Sequence, residues 1–269
     1  MGVTDLGLLK KKPFLAGLSG LLLFLSFPMY GNGIVAWVAL IPLFFALKDA
    51  TPRAGLRIGF LAGIIANVGI FYWIVYVVVQ YGYLPVYVGI AAMFLLAAYL
   101  STYTACFAMG VVFLRGKGIP IILSGPLLWT ILEFLRSHVL TGFPWANLAY
   151  SQYLYTKIIQ ISDVTGIYGV TFAIVLTNAV LYDLMSARTQ RRRLWVETVF
   201  AGALITAILV YGHVRIAEID EVLKKAHGLQ VALIQGNIEQ SVKWDHSTSH
   251  RPSISTVRFH GKRFLLEAD

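Results

Sequence analysis

Long apolar runs alternate with short clusters of basic residues along most of the chain. Residues 13–47 and 58–114 contain no Asp, Glu, Lys or Arg. A soluble fold must present charged groups to water, so apolar runs of this length exclude a small soluble enzyme, a disordered chain and a disulfide scaffold. The pattern predicts an all-α polytopic membrane bundle of about seven transmembrane helices. The seven apolar segments are residues 14–27, 34–47, 58–79, 85–114, 119–135, 164–185 and 194–211.

The first two apolar segments are shorter than a full membrane crossing. Each has 14 residues, which as a helix reach about 21 Å, whereas the hydrocarbon core is about 30 Å thick. These segments therefore either extend into their flanking residues or form a re-entrant pair around residues 28–33. A re-entrant pair would remove two membrane crossings together. Neither alternative therefore changes the side of the membrane on which the later connections lie.

The basic residues lie mainly in alternate connections between the apolar segments. Twelve Lys and Arg side chains fall on one side, at positions 10–12, 48, 53, 57, 115, 117, 188 and 191–193, and only Arg136 and Lys157 fall on the other. The positive-inside rule then predicts a cytoplasmic N-terminus and places everything after Tyr211 outside the cytoplasm. The net charge of +9 forms no basic stripe, so the sequence predicts no nucleic-acid partner.

The character of the chain changes after the last apolar segment. A short β-rich run, Leu229 to Gln235, is followed by the turn residues Gly236 and Asn237, which predicts the first buried strand of an α/β domain. We therefore divide the chain into a transmembrane helical domain at residues 1–212, the start of an outer domain at residues 213–245, and a tail at residues 246–269. The tail is rich in Ser, His and Arg and shows no periodicity, so we expect it to be irregular, as the translation of a shifted reading frame would be.

Glu133 and Arg136 are the first candidates for a functional site. They stand three positions apart near the outer end of the fifth apolar segment, so they share a helix face. Ionisable groups near lipid are costly and usually paired. The pair is either a structural ion pair or part of an outer cavity that holds a phospholipid headgroup or a partner, and the spacing favours neither.

An aromatic segment follows on the outer side. Phe143, Pro144 and Trp145 lie within a short stretch that begins with Gly142, and Gly and Pro are typical of a turn. Aromatic rings at the level of the lipid headgroups serve as interfacial anchors. The alternative function is an outer surface through which substrate enters.

Several other polar residues are expected to serve the fold. Asn67 and Asn178 are predicted to form hydrogen bonds between helices. Glycines 55, 59 and 63 are predicted to form a helix face that another helix can approach closely. Cys106 lies in an apolar segment without a nearby basic residue, so we expect a packed residue and no thiolate nucleophile. The histidine spacings match no metal site, and the sequence predicts no metal and no cofactor.

These segments resemble the N-terminal part of bacterial apolipoprotein N-acyltransferases. The resemblance is carried by Phe71-Tyr72-Trp73-Ile74, Ala97-Ala98-Tyr99-Leu100-Ser101, Trp129 to Glu133, Arg136 with Leu140 to Trp145, Tyr150-Ser151-Gln152, Val231 to Ile238 and Lys243-Trp244-Asp245. It implies a membrane bundle followed by a nitrilase-like α/β domain, in a bacterial inner membrane. It also implies transfer of an acyl chain from a phospholipid donor to the N-terminal cysteine of a diacylated lipoprotein. Trp244 occupies a position that the family uses near its active site.

The resemblance does not extend to the residues that carry out the reaction. The family uses a glutamate base, a lysine and a cysteine nucleophile downstream of the Lys-Trp-Asp segment, and no cysteine follows Asp245 here. We therefore assign no catalytic residue in this chain and expect the chain alone to be inactive, as a truncated or frame-disrupted copy. A non-enzymatic lipid-binding or assembly module, which could join a separately encoded catalytic half, is the alternative. A transporter is less favoured, because the segments show no matched pairs of broken helices.

Overall fold

The computed structural model describes residues 3–28, 30, 32–186, 191–226, 255–259 and 262–266. These residues form ten α-helices and two strands, with three short 3₁₀ segments at Gly33–Trp37, Val139–Thr141 and Leu148–Gln152. In chain order the helices are α1 Val3–Leu25, α2 Ile41–Ala46, α3 Pro52–Phe71, α4 Trp73–Gln80, α5 Val86–Gly116, α6 Ile121–Arg136, α7 Thr156–Ile159, α8 Ser162–Thr165, α9 Ile167–Ser186 and α10 Arg191–Lys225. The strands are β1 Ser255–Phe259 and β2 Lys262–Leu266.

Four helices in the described part of the chain, α3, α5, α9 and α10, are long and apolar enough to cross a membrane. This confirms the helical, apolar bundle that the hydropathy pattern predicts. A count of seven crossing helices is not confirmed: among the described residues the first, second and fifth apolar segments supply no helix that is long and apolar enough.

The second apolar segment, residues 34–47, is not one helix. A 3₁₀ segment at Gly33–Trp37 and the six-residue α2 replace it, with a break at residues 38–40. Pro42 lies in the first turn of α2, where its missing N–H costs nothing, whereas within a continuous helix it would remove a hydrogen bond and clash with the preceding turn. The third segment is also divided, with Tyr72 between α3 and α4.

Asn178 of α9 satisfies the backbone at this break. Its Oδ1 accepts a hydrogen bond from the Leu40 amide at 2.8 Å, and its Nδ2 donates to the Ala36 carbonyl at 2.9 Å. Backbone groups that a broken helix leaves unpaired must find such partners inside an apolar bundle. The predicted role of Asn178 is therefore confirmed, and Asn67 likewise donates from α3 to Ser101 of α5 at 3.2 Å.

The glycine face of α3 packs directly on α5. A side chain at Gly59 would place its Cβ 2.5 Å from the Ala108 Cβ, and one at Gly63 would lie 3.0 Å from Ser101. This close approach confirms the predicted use of the three glycines.

Cys106 does not pack in the interior as we expected. It lies exposed on the surface of the bundle, and α5 buries its small residues Ala105 and Ala108 instead.

Helix α10 continues past the expected domain boundary at residue 212. It has 35 residues, or about 52 Å of helix against about 30 Å of hydrocarbon, so residues 213–225 extend the last helix and do not begin a new fold. The predicted strand Leu229 to Gln235 and the candidate Trp244 lie outside the described residues. Within the tail that we expected to be irregular, β1 and β2 pair antiparallel, with Val257 opposite Phe264.

Candidate functional site

Glu133 occupies the centre of a buried hydrogen-bond network at the end of α6. Its side chain is buried, and its Oε1 accepts hydrogen bonds from the Trp129 Nε1 at 3.0 Å and from the Leu148 amide at 2.7 Å. Its Oε2 accepts from the Thr171 hydroxyl of α9 at 2.8 Å. Three donors thus satisfy the carboxylate, which compensates for its removal from water.

Arg136 holds the loop that follows α6. Its Nη2 donates to the Ala146 carbonyl at 3.2 Å and to the Asn147 Oδ1, and it lies 4.0 Å from the Glu133 Oε1. The separation from Glu133 is at the limit for an ion pair. Arg136 is therefore held mainly by its hydrogen bonds to the loop, and Glu133 by the three donors named above. The two residues share a helix face, as the spacing predicts, and both are turned towards the loop.

The loop itself is shaped by a tight turn. Gly142 has a φ of +80°, and a Cβ there would lie 2.3 Å from the Ser137 carbonyl oxygen. Only glycine adopts this backbone without strain or a clash. The turn is closed by the Phe143 amide, which donates to the Arg136 carbonyl at 2.8 Å, and it brings residues 143–145 back towards the bundle.

Phe143 and Trp145 join an aromatic cluster with the end of α3 and the start of α4. The Phe143 ring lies 5.5 Å from the Phe71 ring in an edge-on arrangement, and the Trp145 ring stacks on Trp73 at 5.5 Å. Trp145 is 55% exposed, and Pro144, which precedes it in the chain, is also exposed. The cluster therefore presents an apolar surface at the end of the bundle.

Gln152 connects the same loop to the broken second segment. Its Nε2 donates to the Gly33 carbonyl at 2.8 Å, and its Oε1 accepts from the Trp37 Nε1 at 3.0 Å. Our sequence reasoning did not assign Gln152, Thr171 or Asn147 to the site. All three are buried. Thr171 lies within an apolar segment, where a polar side chain is a signal in the sequence, whereas Asn147 and Gln152 lie in the connection between two segments and carry no such signal.

A cavity of about 40 Å³ lies beneath the loop, between α1, α3, α5 and α6. Arg136, Glu133 and Asn67 line it, together with apolar side chains. The Nε of the lining residue Arg136 is buried and has no hydrogen-bond partner among the described residues. The same is true of the Asn147 Nδ2, although Asn147 does not itself line the cavity. A cavity of this size has room for about three water-sized groups, so this site offers hydrogen-bond donors to a small acceptor, next to an aromatic surface.

Comparison with known proteins identifies the family. Residues 19–180 match the family described as apolipoprotein N-acyltransferase N-terminal domain. The chain is 40% identical over 249 residues to the apolipoprotein N-acyltransferase of Geobacter metallireducens, which covers 91% of this chain and 47% of the relative. It is 32% identical over 245 residues to that of Pasteurella multocida, covering 88% of this chain and 45% of the relative.

A third relative gives the same result. The apolipoprotein N-acyltransferase of Neisseria meningitidis serogroup B is 34% identical over 213 residues, covering 76% of this chain and 40% of the relative. The chain thus spans less than half the length of these curated relatives. Glu133, Arg136, Phe143 and Trp145 all lie within the matched residues 19–180. Together with its apolar helices, this match shows that the chain is a membrane protein that belongs to the apolipoprotein N-acyltransferase family.

Proposed function

We propose that this chain forms the membrane portion of an enzyme that transfers an acyl chain from a phospholipid to the N-terminal cysteine of a diacylated lipoprotein. The observation that carries the proposal is the family match over residues 19–180. That stretch contains the whole Glu133 network and the aromatic loop it holds. A transporter function has no comparable support.

In this proposal the buried network sets the position of the loop. Glu133 and Arg136 together bond to Ala146, Asn147 and Leu148, so the loop keeps one conformation relative to α6. A fixed loop then presents Phe143, Pro144 and Trp145 as an apolar surface for the acyl chains of the donor or the acceptor. Rings at this level of a membrane combine apolar contact with tolerance of the wet headgroup region.

We place the covalent chemistry outside the described residues. Around the loop the described side chains offer N–H donors and aromatic surfaces, which can bind and orient a lipid. The family uses a cysteine, a glutamate and a lysine for the acyl transfer itself, which splits one difficult transfer into two easier ones. Trp244 remains a candidate for substrate binding near that site. A separately encoded catalytic half has no observation in its favour.

We further propose a multi-pass orientation in a bacterial inner membrane, with the N-terminus in the cytoplasm. The proposal is supported by the unequal distribution of basic residues. It is also supported by the packing: Lys12 donates to the Lys48 carbonyl at 2.9 Å, and Lys48, Arg115 and Arg193 line one cavity. Four basic residues from separate segments thus lie at one end of the bundle, and the aromatic loop lies at the other.

A chimera tests the function. Residues 19–180 replace the matching residues of the Geobacter metallireducens relative, in a bacterium depleted of its own enzyme. Mass spectrometry of a reporter lipoprotein then measures N-acylation. We expect the chimera to restore N-acylation and Trp145→Ala within it to slow the reaction several-fold. Phe113→Ala is the matched control, because Phe113 is an equally exposed aromatic residue near the opposite end of the bundle. A chimera that accumulates in the membrane without N-acylating the reporter contradicts the proposal.

A further inference from the structure

A second cavity in the described part of the chain lies at the end of the bundle opposite to the aromatic loop. It has a volume of about 250 Å³. The ends of α5 and α9, the beginnings of α6 and α10, and the turn after α2 enclose it. It shares no lining residue with the Glu133 site, so the function proposed above does not account for it.

Three cationic side chains from three different elements line this cavity. Lys48 follows α2, Arg115 belongs to the last turn of α5, and Arg193 to the first turn of α10. The Arg115 Nη2 donates to the Leu47 carbonyl at 2.5 Å, which fixes the guanidinium and, in the bonds found among the described residues, uses one of its five N–H donors. A fixed guanidinium with further N–H donors, such as that of Arg115, is suited to a phosphate group.

The beginning of α6 adds to this positive environment. Pro120 and Ile121, at the N-terminus of α6, both line the cavity. A helix of 16 residues carries a partial positive charge at this end, and its first amides have no partner within the helix. An anion in the cavity would therefore meet both the cationic side chains and the end of the helix dipole.

The cavity is also lined by two carboxylates, those of Asp49, which follows Lys48 in the chain, and of Asp183 in α9. Asp183 lies against Glu197 of α10, and both residues are only 7% exposed. Arg193 pairs with Glu197 at 2.6 Å, while the Glu197 Oε2 has no hydrogen-bond partner among the described residues. Carboxylates in the lining disfavour a ligand that carries several negative charges.

From this arrangement we infer that the cavity binds a phosphodiester that also carries a primary amine. The phosphodiester lies between Lys48, Arg115 and the beginning of α6, and the ammonium group faces Asp183. Basic pockets between membrane helices bind lipid headgroups in this way, and a single negative charge balanced by an amine matches the mixed lining. The ligand is either the headgroup of an aminophospholipid in the adjacent leaflet or a soluble glycerophosphodiester of the same chemistry.

Native mass spectrometry of the purified full chain in detergent tests this inference. The probes are phosphatidylethanolamine, soluble glycerophosphoethanolamine and diacylglycerol, each titrated to obtain a Kd. The test variant is Lys48→Gln with Arg115→Gln. Its matched control is Arg53→Gln with Arg57→Gln, which removes two exposed cations near the same end of the bundle that do not line the cavity.

We expect phosphatidylethanolamine to bind the wild type and the control variant with Kd values within about twofold of each other. The test variant should bind this lipid about tenfold more weakly or worse, because it has lost charge-assisted hydrogen bonds. Diacylglycerol should not bind at this site. Competition by glycerophosphoethanolamine at concentrations similar to those of the lipid would identify a soluble ligand and still support the inference. Equal losses in the test and control variants, or no loss in either, would overturn it.

A second variant keeps the test decisive if the double substitution fails to fold. Ser186→Leu leaves every charge in place and fills the cavity, because Ser186 lines it at the end of α9. We expect the same weakening of phosphatidylethanolamine binding. Unchanged binding by a folded Ser186→Leu protein contradicts a ligand within the cavity.

Discussion

The substitution Thr171→Val examines how firmly the buried network holds the loop after α6. Thr171 is fully buried, its hydroxyl donates to the Glu133 Oε2 at 2.8 Å, and the same oxygen accepts from the Ala149 amide at 3.3 Å. Valine has nearly the same shape, so the change removes these two hydrogen bonds without opening a cavity. The result therefore isolates the polar contribution of one side chain.

The magnitude follows from the two bonds. A hydrogen bond to a charged group contributes about 1.5–3 kcal/mol, and a buried amide left without an acceptor costs about 1–3 kcal/mol. Because both bonds share one oxygen atom, their contributions are not independent. We expect Thr171→Val to lower the free energy of unfolding by about 3 kcal/mol, which is roughly a hundredfold change in the unfolding equilibrium.

The assay is reversible unfolding in mixed micelles, followed by tryptophan fluorescence. The matched control is Thr177→Val on the same helix, because the Thr177 hydroxyl donates only to the Ala173 carbonyl one turn earlier, at 2.9 Å. That carbonyl lies within α9, so the control should change the free energy of unfolding by less than about 0.5 kcal/mol. If the two variants are destabilised equally, the Glu133 network does not contribute what its geometry implies, and the argument for a fixed loop is wrong.

Three further results are expected. Gly59→Ala should lower the free energy of unfolding by about 1–3 kcal/mol through overpacking against α5, whereas Gly202→Ala, where a Cβ meets nothing within 4 Å, should be neutral or slightly stabilising in the same assay. Asn178→Ala removes the bonds that tie α9 to the broken segment and should cost about 2–4 kcal/mol, and full membrane yield with unchanged stability would contradict its role. A periplasmic reporter enzyme should be active when fused after Lys225 and inactive after Arg193, and the reverse pattern would refute the orientation.

The helical bundle and much of its packing follow from local sequence patterns. The apolar segments, the four-residue spacing of the α3 glycines and the isolated Asn67 and Asn178 predict features that the structure confirms.

The length of α10 was not predicted. Beyond Tyr211 the apolar pattern stops, yet the helix continues, with Arg215 paired to Glu218 and Lys224 to Glu221 at helical spacing. Those charged pairs were the available signal.

The candidate site was predicted in part. The spacing of Glu133 and Arg136 places them on one face of α6, but it leaves open whether they bond to each other, to a ligand or to the protein. The structure shows that the loop and α9 supply their principal partners, since Leu148, Asn147 and Thr171 donate to or accept from them. Phe71 and Trp73, which pack on the loop aromatics, lie about 70 residues earlier in the chain.

The sequence by itself determined that the protein is built from apolar helices suited to a membrane, and it predicts the direction in which those helices cross. Transfer of apolar side chains out of water and placement of basic residues beside the membrane are nearly additive along the chain, so they can be read from residue types and periodicity. The broken segment at residues 33–46, the buried network and the mixed-charge cavity depended on tertiary structure. Hydrogen bonds between distant residues are directional and short, so their partners exist only after the chain path has been decided.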